Sequence, residues 1–151
     1  MVRQAMEDGV DVIVFSAVDY NANAEIIGQA AQRGIKIVVI DSDVNSSMVS
    51  CRIGTNNLQA GVKAAEAALA VGEDELYIGI VNYDVNSANG QQRELGFRQT
   101  VEQDPRVKDI TTINVLSTTE DARAGAKEML LSDSRINVVV TFNEWTSLGV
   151  G

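Results

Sequence analysis

Two apolar segments that end abruptly in small and acidic residues decide the fold: Val12-Ile13-Val14-Phe15-Ser16-Ala17-Val18-Asp19 and Ile37-Val38-Val39-Ile40-Asp41-Ser42-Asp43. Each apolar run has the length and composition of a strand buried in a parallel sheet. Ligands of open α/β sheets bind outside the carboxyl ends of the strands. We therefore expect Ser16, Asp19, Asp41 and Asp43 to line one crevice.

The rest of the chain continues this alternation of strands and helices. Strand patterns cover residues 36–40, 50–54, 75–82, 110–115 and 137–141, and helical patterns cover residues 1–8, 21–33, 58–71, 89–103, 119–131 and a segment from 144. Gly9 and Gly34 follow two of the helices, where a left-handed residue commonly ends a helix. The alternation predicts an α/β fold of right-handed βαβ units, with doubly wound parallel sheets and helices on both faces.

Composition argues against several functional classes. The 151 residues carry a formal net charge of -9 and include no histidine, so the commonest general base and metal ligand is missing. The acidic balance argues against a nucleic-acid partner for this segment, because binding to phosphates needs clustered Lys and Arg. The lone Cys51 excludes an internal disulfide. No apolar run is long enough for a transmembrane helix, and the start lacks the apolar core of a signal peptide.

The acidic pair after the second strand has three readings. Asp41 and Asp43 could act as acid and base, hold a cation, or form hydrogen bonds with a hydroxylated ligand or with loop backbone. The segment lacks the central Gly and closing Glu of a calcium loop, which favours hydrogen bonding. No glycine-rich phosphate loop follows any strand, so we expect no nucleotide cofactor, and without a calcium-loop pattern we expect no metal.

Polar and aromatic residues also mark the strand ends of the second half. Arg93 lies near the start of a helix, against the helix dipole, which indicates an acidic or hydroxyl-rich group opposite it unless it is a surface arginine. Asn143 follows the last strand and suits either a ligand contact or a helix cap. Tyr83, Phe142 and Trp145 can offer flat faces to sugar rings, or can pack in the core.

Several spaced motifs in this order resemble those of the ribose-type periplasmic sugar-binding proteins, the solute-binding components of ABC importers. They are Gly9-Val10-Asp11-Val12-Ile13-Val14, Asp19, Gly34 to Asp41, Ile53-Gly54-Thr55-Asn56-Asn57 with Ala60-Gly61, Arg93 with Gly96-Phe97, and Asn143-Glu144 with Leu148-Gly149. The resemblance spans essentially the whole chain. It implies the type I periplasmic binding protein fold, in which two Rossmann-like lobes are joined by hinge crossings and hold the sugar between them.

The same resemblance implies how this chain maps onto such a protein. Residues 1–54 correspond to part of the amino-terminal lobe and residues 55–151 to part of the carboxy-terminal lobe, with the first hinge crossing near residues 54–56. The chain begins and ends within predicted helices, so we expect an internal piece, incomplete at both ends, with any leader outside it.

Ligand contacts are implied residue by residue. Asp41 matches the family's sugar-binding aspartate, Arg93 the arginine before Gly-Phe, Asn143 the asparagine of the last turn, and Ser16 a common polar contact. Further candidates are Asp19, Tyr83, Phe142 and Trp145. The chain departs from the family pattern at three positions. Ala17 stands where the family commonly has Pro, Ser42 where ribose binders have an Arg, and Glu144 where Asp is usual. These differences leave the ligand's identity open.

The function implied is binding without chemistry. The ligand is a monosaccharide or similar polyol, the protein partner a membrane permease, and the location periplasmic or extracytoplasmic, with a lipid anchor as one form. The alternative is the effector-binding domain of a LacI-type transcriptional regulator, which would be cytoplasmic and would carry its DNA-binding helices outside this segment. An enzyme of doubly wound fold is the third reading, and the absent histidine counts against it.

Overall fold

The computed structural model describes all of residues 1–151 as two compact units, each built on a three-stranded parallel sheet. The first unit comprises residues 1–55 and 86–89, and the second comprises residues 56–85 and 90–151. The predicted α/β class and the predicted division into two parallel sheets are confirmed. The assignment of residues 1–54 and 55–151 to two lobes stays a prediction.

The first unit has a sheet with strand order β1-β2-β3, whose pairs are parallel. Its elements are α1 (Val2–Glu7), β1 (Val12–Phe15), α2 (Ala24–Gln32), β2 (Lys36–Ile40) and β3 (Cys51–Ile53). Gly9 and Gly34 lie at φ 71° and 86°, so each adopts the left-handed conformation that was predicted to follow the first two helices.

The core of the first unit lies on one face of its sheet. Ile13, Ile37 and Val39 point to this face and pack with Met6 of α1 and Ile27 of α2. Strand side chains alternate between the two faces. On the opposite face Val14, Ile40 and Ile53 are exposed.

The second unit has a sheet with β4 at its centre, in the order β5-β4-β6. Its elements are α3 (Asn57–Leu69), β4 (Leu76–Tyr83), α4 (Ala88–Val101, of which the residues from 90 belong here), β5 (Val107–Val115), α5 (Thr119–Ser132), β6 (Val138–Thr141) and α6 (Glu144–Val150).

Helices cover both faces of this second sheet. Ile78 and Ile80 of β4 pack on one face with Ala65 of α3 and Phe97 of α4. Val81 points to the other face, where it packs with Ala122, Ala126 and Met129 of α5. Successive β4 side chains therefore pack into two cores, one on each face of the sheet, as expected for a central parallel strand.

Helices α3 and α4 approach each other closely through two glycines. A Cβ atom on Gly61 would lie 2.0 Å from the carbonyl oxygen of Arg93, and one on Gly96 would lie 2.1 Å from that of Leu58. Only hydrogen fits at these two positions. This contact places the start of α4 tightly against α3.

One strand begins earlier than its pattern predicted. The apolar alternation starts at Ile110, whereas β5 begins at Val107. Val107 pairs with Leu76, but Tyr77 pairs with Asp109, so the register shifts by one residue. This bulge turns polar residues to solvent and obscures the strand pattern.

Candidate functional site

Asp41 lies directly after β2, at the carboxyl end of the first sheet. Its φ of 57° is left-handed, a conformation that aspartate tolerates better than most residues, and its side chain is exposed. The backbone N–H donates to the carbonyl of Ile53 at 2.9 Å, and Oδ1 accepts from Nδ2 of Asn89 at 3.2 Å. A Cβ on Gly54 would come within 3.0 Å of the Asp41 carbonyl oxygen, so Gly54 lets the two segments meet.

Ser16 and Ser42 meet at the same edge of the first sheet. Ser16 is exposed, and its Oγ accepts from the backbone N–H of Ser42 at 3.4 Å, while Ala17 N–H donates to the Ser42 carbonyl at 3.0 Å. The Oγ of Ser42 is buried and has no hydrogen-bond partner. Ser16, Asp41 and Ser42 therefore all lie just beyond the carboxyl ends of β1 and β2.

The carboxylates of Asp19 and Asp43 already have partners from nearby segments of the chain. Oδ1 of Asp19 accepts from the N–H groups of Asn21 and Ala22 at 2.9 and 2.8 Å, which stabilises the turn before α2. Asp43 forms an ion pair with Arg52, whose Nε lies 2.8 and 3.0 Å from the two carboxylate oxygens. No group of three or more His, Cys, Asp or Glu residues could hold a metal ion.

Arg93 is half-buried near the start of α4 and joins two elements of the second unit. Its Nε donates to Oδ1 of Asn57 at 2.8 Å, and its Nη1 donates to the carbonyl of Phe142 at the end of β6. The sequence favoured an acidic or hydroxyl-rich group opposite Arg93. The partners within the second unit are an amide oxygen and a peptide carbonyl, so the expectation of an acidic or hydroxyl-rich group stays a prediction for the ligand.

Asn143 is the N-cap of α6. Its Oδ1 accepts from the backbone N–H of Thr146 at 2.9 Å, and its own backbone N–H donates to Oγ1 of Thr146 at 3.4 Å, which together form a capping box. Its Nδ2 donates to Oγ of Ser117 at 2.7 Å. The structural role considered for Asn143 is thus present, whatever else the residue binds.

Arg93 and Asn143 share a cleft of about 310 Å³ in the second unit. The cleft lies beyond the carboxyl end of β6, between the starts of α4 and α6 and one side of α3. Its lining residues are Ala60, Ala64, Arg93, Thr141, Phe142, Asn143 and Ser147. The predicted pair is therefore brought together at one strand end.

The aromatic candidates separate by burial. Tyr83 and Phe142 are 8% and 6% exposed and belong to the core of the second unit, where Phe142 packs edge-on against Phe97 with ring centroids 5.8 Å apart. Trp145 is 50% exposed at the start of α6. Of the three rings, only that of Trp145 presents a large open face.

Two asparagines that the sequence analysis did not select contact the selected residues. Asn57 accepts from Arg93, and Asn89 donates to Asp41. A signal for Asn57 is present in the sequence: Asn56 alone caps α3, by accepting from Gln59 N–H at 3.1 Å. Because Asn56 is sufficient to cap α3, the neighbouring side-chain amide of Asn57 can serve a different role.

Comparison with known families identifies the class. The model of the periplasmic binding protein domain family matches residues 1–151, so the chain belongs to that family. Its members bind solutes and do not catalyse reactions. The resemblance and the fold inferred from it are confirmed.

Solved structures agree with the family match. The chain is similar to the periplasmic component of an ABC-type sugar transport system from Hahella chejuensis, with a TM-score of 0.93, 23% identity, and coverage of 99% of this chain and 55% of the other. It is also similar to a carbohydrate transporter solute-binding protein from Agrobacterium radiobacter in complex with D-arabinose. The TM-score is 0.92, the identity is 22%, and the match covers 99% of this chain and 52% of the other. The chain is similar as well to the Caulobacter myo-inositol binding protein, with a TM-score of 0.89, 17% identity, and coverage of 99% of this chain and 52% of the other.

The chain spans about half the length of the solved structures it matches. These similarities establish the fold. No helix of the structure combines the length and the apolar character that a membrane span requires.

Proposed function

We propose that this chain is part of the solute-binding component of an ABC-type importer. This component lies outside the cytoplasm, binds a monosaccharide or similar polyol, and delivers it to the membrane permease. The observation that carries the proposal is the match of all 151 residues to the periplasmic binding protein domain. Support also comes from the solutes named for similar structures, which are D-arabinose, D-fucose and myo-inositol. Two of these structures are named as transporter solute-binding proteins, so the LacI-type regulator is not favoured.

The proposed contacts at the first unit centre on Asp41. An ionised carboxylate only accepts hydrogen bonds, and sugar hydroxyl groups are donors. Asp41 is exposed at a strand end, and its Oδ1 has one amide donor, from Asn89, so the carboxylate has acceptor capacity left. Ser16 and the buried Ser42 hydroxyl lie beside the same strand ends and can donate or accept.

The proposed contacts at the second unit centre on Arg93 and Asn143. The Arg93 guanidinium carries five N–H donors, and two of its nitrogens are fixed by Asn57 and the Phe142 carbonyl. This leaves N–H groups in a preset orientation toward the cleft. Asn143 is committed to capping α6, so its contribution to a ligand would be secondary, and the exposed face of Trp145 is the remaining candidate for stacking on a sugar ring.

A thermal-shift and calorimetry screen of the full-length protein tests the proposal. D-arabinose, D-fucose and myo-inositol are the first ligands, followed by other pentoses and hexoses. A ligand at 100 times its dissociation constant adds about 2.7 kcal/mol to the free energy of unfolding, which gives a measurable rise in Tm. Absence of any shift across monosaccharides and polyols would contradict the sugar proposal.

Asp41→Asn is the most informative variant for the bound sugar. Asparagine also tolerates the left-handed backbone, so the change removes charge with little strain. We expect affinity to fall about tenfold or more, since a hydrogen bond to a charged group contributes about 1.5–3 kcal/mol, while stability changes by about 0.5 kcal/mol at most. Asp11→Asn is the control, because Asp11 is an exposed aspartate at the opposite end of the first sheet. Equal affinity for both variants would remove Asp41 from the site.

A further inference from the structure

A partly buried polar network joins α4 to two neighbouring strands of the second unit, β4 and β5. Asn82, near the end of β4, is 2% exposed, and its Nδ2 donates to the Gly90 carbonyl at 3.2 Å and to Oε2 of Glu94 at 2.7 Å. Oε1 of Glu94 accepts from Nε of Arg98 at 2.9 Å and from the Thr112 hydroxyl of β5 at 3.1 Å. Arg98 also donates to the Thr112 hydroxyl through Nη2 at 2.6 Å.

The network holds one side of α4, and Gly96 holds another. Gly90, Glu94 and Arg98 follow one another at intervals of four residues, so they lie along one face of the helix. Gly96 meets α3 at backbone contact, and a Cβ on Gly90 would be 3.0 Å from Oδ1 of Asn82. The first turns of α4 therefore have little freedom to rotate or slide.

Glu94 is ionised in this network. Burial raises its pKa, but hydrogen bonds from Arg98, Asn82 and Thr112 outweigh burial and hold the pKa below its usual value. A carboxylate with this many donors accepts them most strongly when it is charged. The network is thus satisfied in its charged form at neutral pH.

Arg93 precedes Glu94 in α4, and its side chain extends from the helix to Asn57 and the Phe142 carbonyl. Its guanidinium has no carboxylate to orient it there, so its position depends on where α4 is held. From this geometry we infer that Asn82, Glu94, Thr112 and Arg98 form a positioning network that sets the orientation of Arg93 and thereby the affinity of the sugar site. The inference rests on the proposed function, and its first experiment needs no sugar.

Thr112→Val and Glu94→Gln perturb the network with little change of shape. The first removes the hydroxyl shared by Glu94 and Arg98, and the second removes the charge that orders Arg98 and Asn82. Asp104→Asn is the control, because Asp104 pairs with Arg106 at 2.8 Å, a contact of the same type in the turn that follows α4. Each variant is made in the full-length protein.

The first measurement is the NMR signal of the Arg93 Nε–H group without ligand. In the wild type this proton is held by Asn57, so it should exchange slowly with water. We expect both network variants to move the signal and speed its exchange at least about threefold, and Asp104→Asn to leave both unchanged. An unchanged Arg93 signal in Thr112→Val and Glu94→Gln would overturn the positioning role.

The second measurement is the dissociation constant of the sugar that stabilises the wild type, by calorimetry well below the Tm of every variant. We expect both network variants to bind about five- to tenfold more weakly, with Asp104→Asn unchanged. A moved Arg93 signal with unaltered affinity would overturn the link to binding. If the wild type binds no sugar, the proposed function fails, and the Arg93 signal alone decides whether the network positions the guanidinium.

Discussion

At the scale of single residues, the strand-end side chains serve both the fold and the proposed site. Asn143 shows this most clearly, because its oxygen caps α6 while its amide nitrogen donates to Ser117. Asp19 and Asp43, in contrast, have partners in a turn and in an ion pair. A polar residue at a strand end is therefore a candidate whose partners must be known before a role is assigned.

Two variants of Asn143 separate its roles. Asn143→Ala removes the cap and should lower the free energy of unfolding by about 1 kcal/mol, measured by urea denaturation. Asn143→Asp keeps an oxygen acceptor for Thr146 and should retain most of that stability. If Asn143 also contacts the sugar, Asn143→Asp will weaken binding despite normal stability. A stable Asn143→Ala protein would contradict the capping role.

Asp133 gives a pH prediction. Hydrogen bonds from the Arg135 side chain and backbone lower its pKa from 3.8 to about 2. Because the pKa in the folded state is the lower one, the stabilisation is complete above about pH 4 and is lost as the pH falls toward 2. NMR titration should show the low pKa in the wild type and a return toward 3.8 in Arg135→Gln. Lys108→Gln, which removes a cation that pairs with Glu75, should leave the Asp133 titration in place.

At the scale of elements, the contact between α3 and α4 governs the start of α4. Gly61 and Gly96 permit backbone contact from one side, while the Asn82–Glu94–Thr112 hydrogen bonds hold the other. Neither feature is visible as a hydrophobic pattern. The helix that carries Arg93 is thus fixed by close approach and polar contacts as well as by its apolar residues, Phe97 and Val101.

Gly96→Ala tests the close approach. The added Cβ would meet the Leu58 carbonyl, so we expect a loss of about 1–3 kcal/mol in the free energy of unfolding, as for other overpacked sites. Gly28→Ala is the matched helical control, because no atom lies within 4 Å of its Cβ position. That change should stabilise by about 0.5–1 kcal/mol, since alanine favours helix over glycine. Equal and positive effects at both sites would show that the helices do not meet as described.

At the scale of the whole molecule, the two sheets differ in how deeply they are buried. β4 is buried along almost its full length between two layers of helices, whereas all three residues of β3 are exposed. Val14, Ile40 and Ile53 leave one face of the first sheet open. The two units should therefore differ in local stability.

Hydrogen exchange measures that difference directly. We expect the β4 amides to exchange most slowly in the chain, about a hundredfold or more slower than those of β3, because local opening is easiest where few apolar contacts are broken. Exchange of β4 as fast as β3 would contradict the assignment of the main core to the second unit. Exchange at β1 and β2 should fall between the two.

The sequence by itself determined the α/β class and the order of the elements, because hydrophobic periodicity and helix-ending glycines are local signals that the chain carries in every conformation. The family was indicated separately, by the resemblance of several spaced motifs. The sequence also selected Arg93 and Asn143, which share one cleft. Only the tertiary structure decided which acidic side chains are already paired, that Phe142 and Tyr83 are core residues, and that Asn57 and Asn89 contact the selected residues. These contacts join residues distant in the chain, and their partners are fixed by packing that no local pattern encodes.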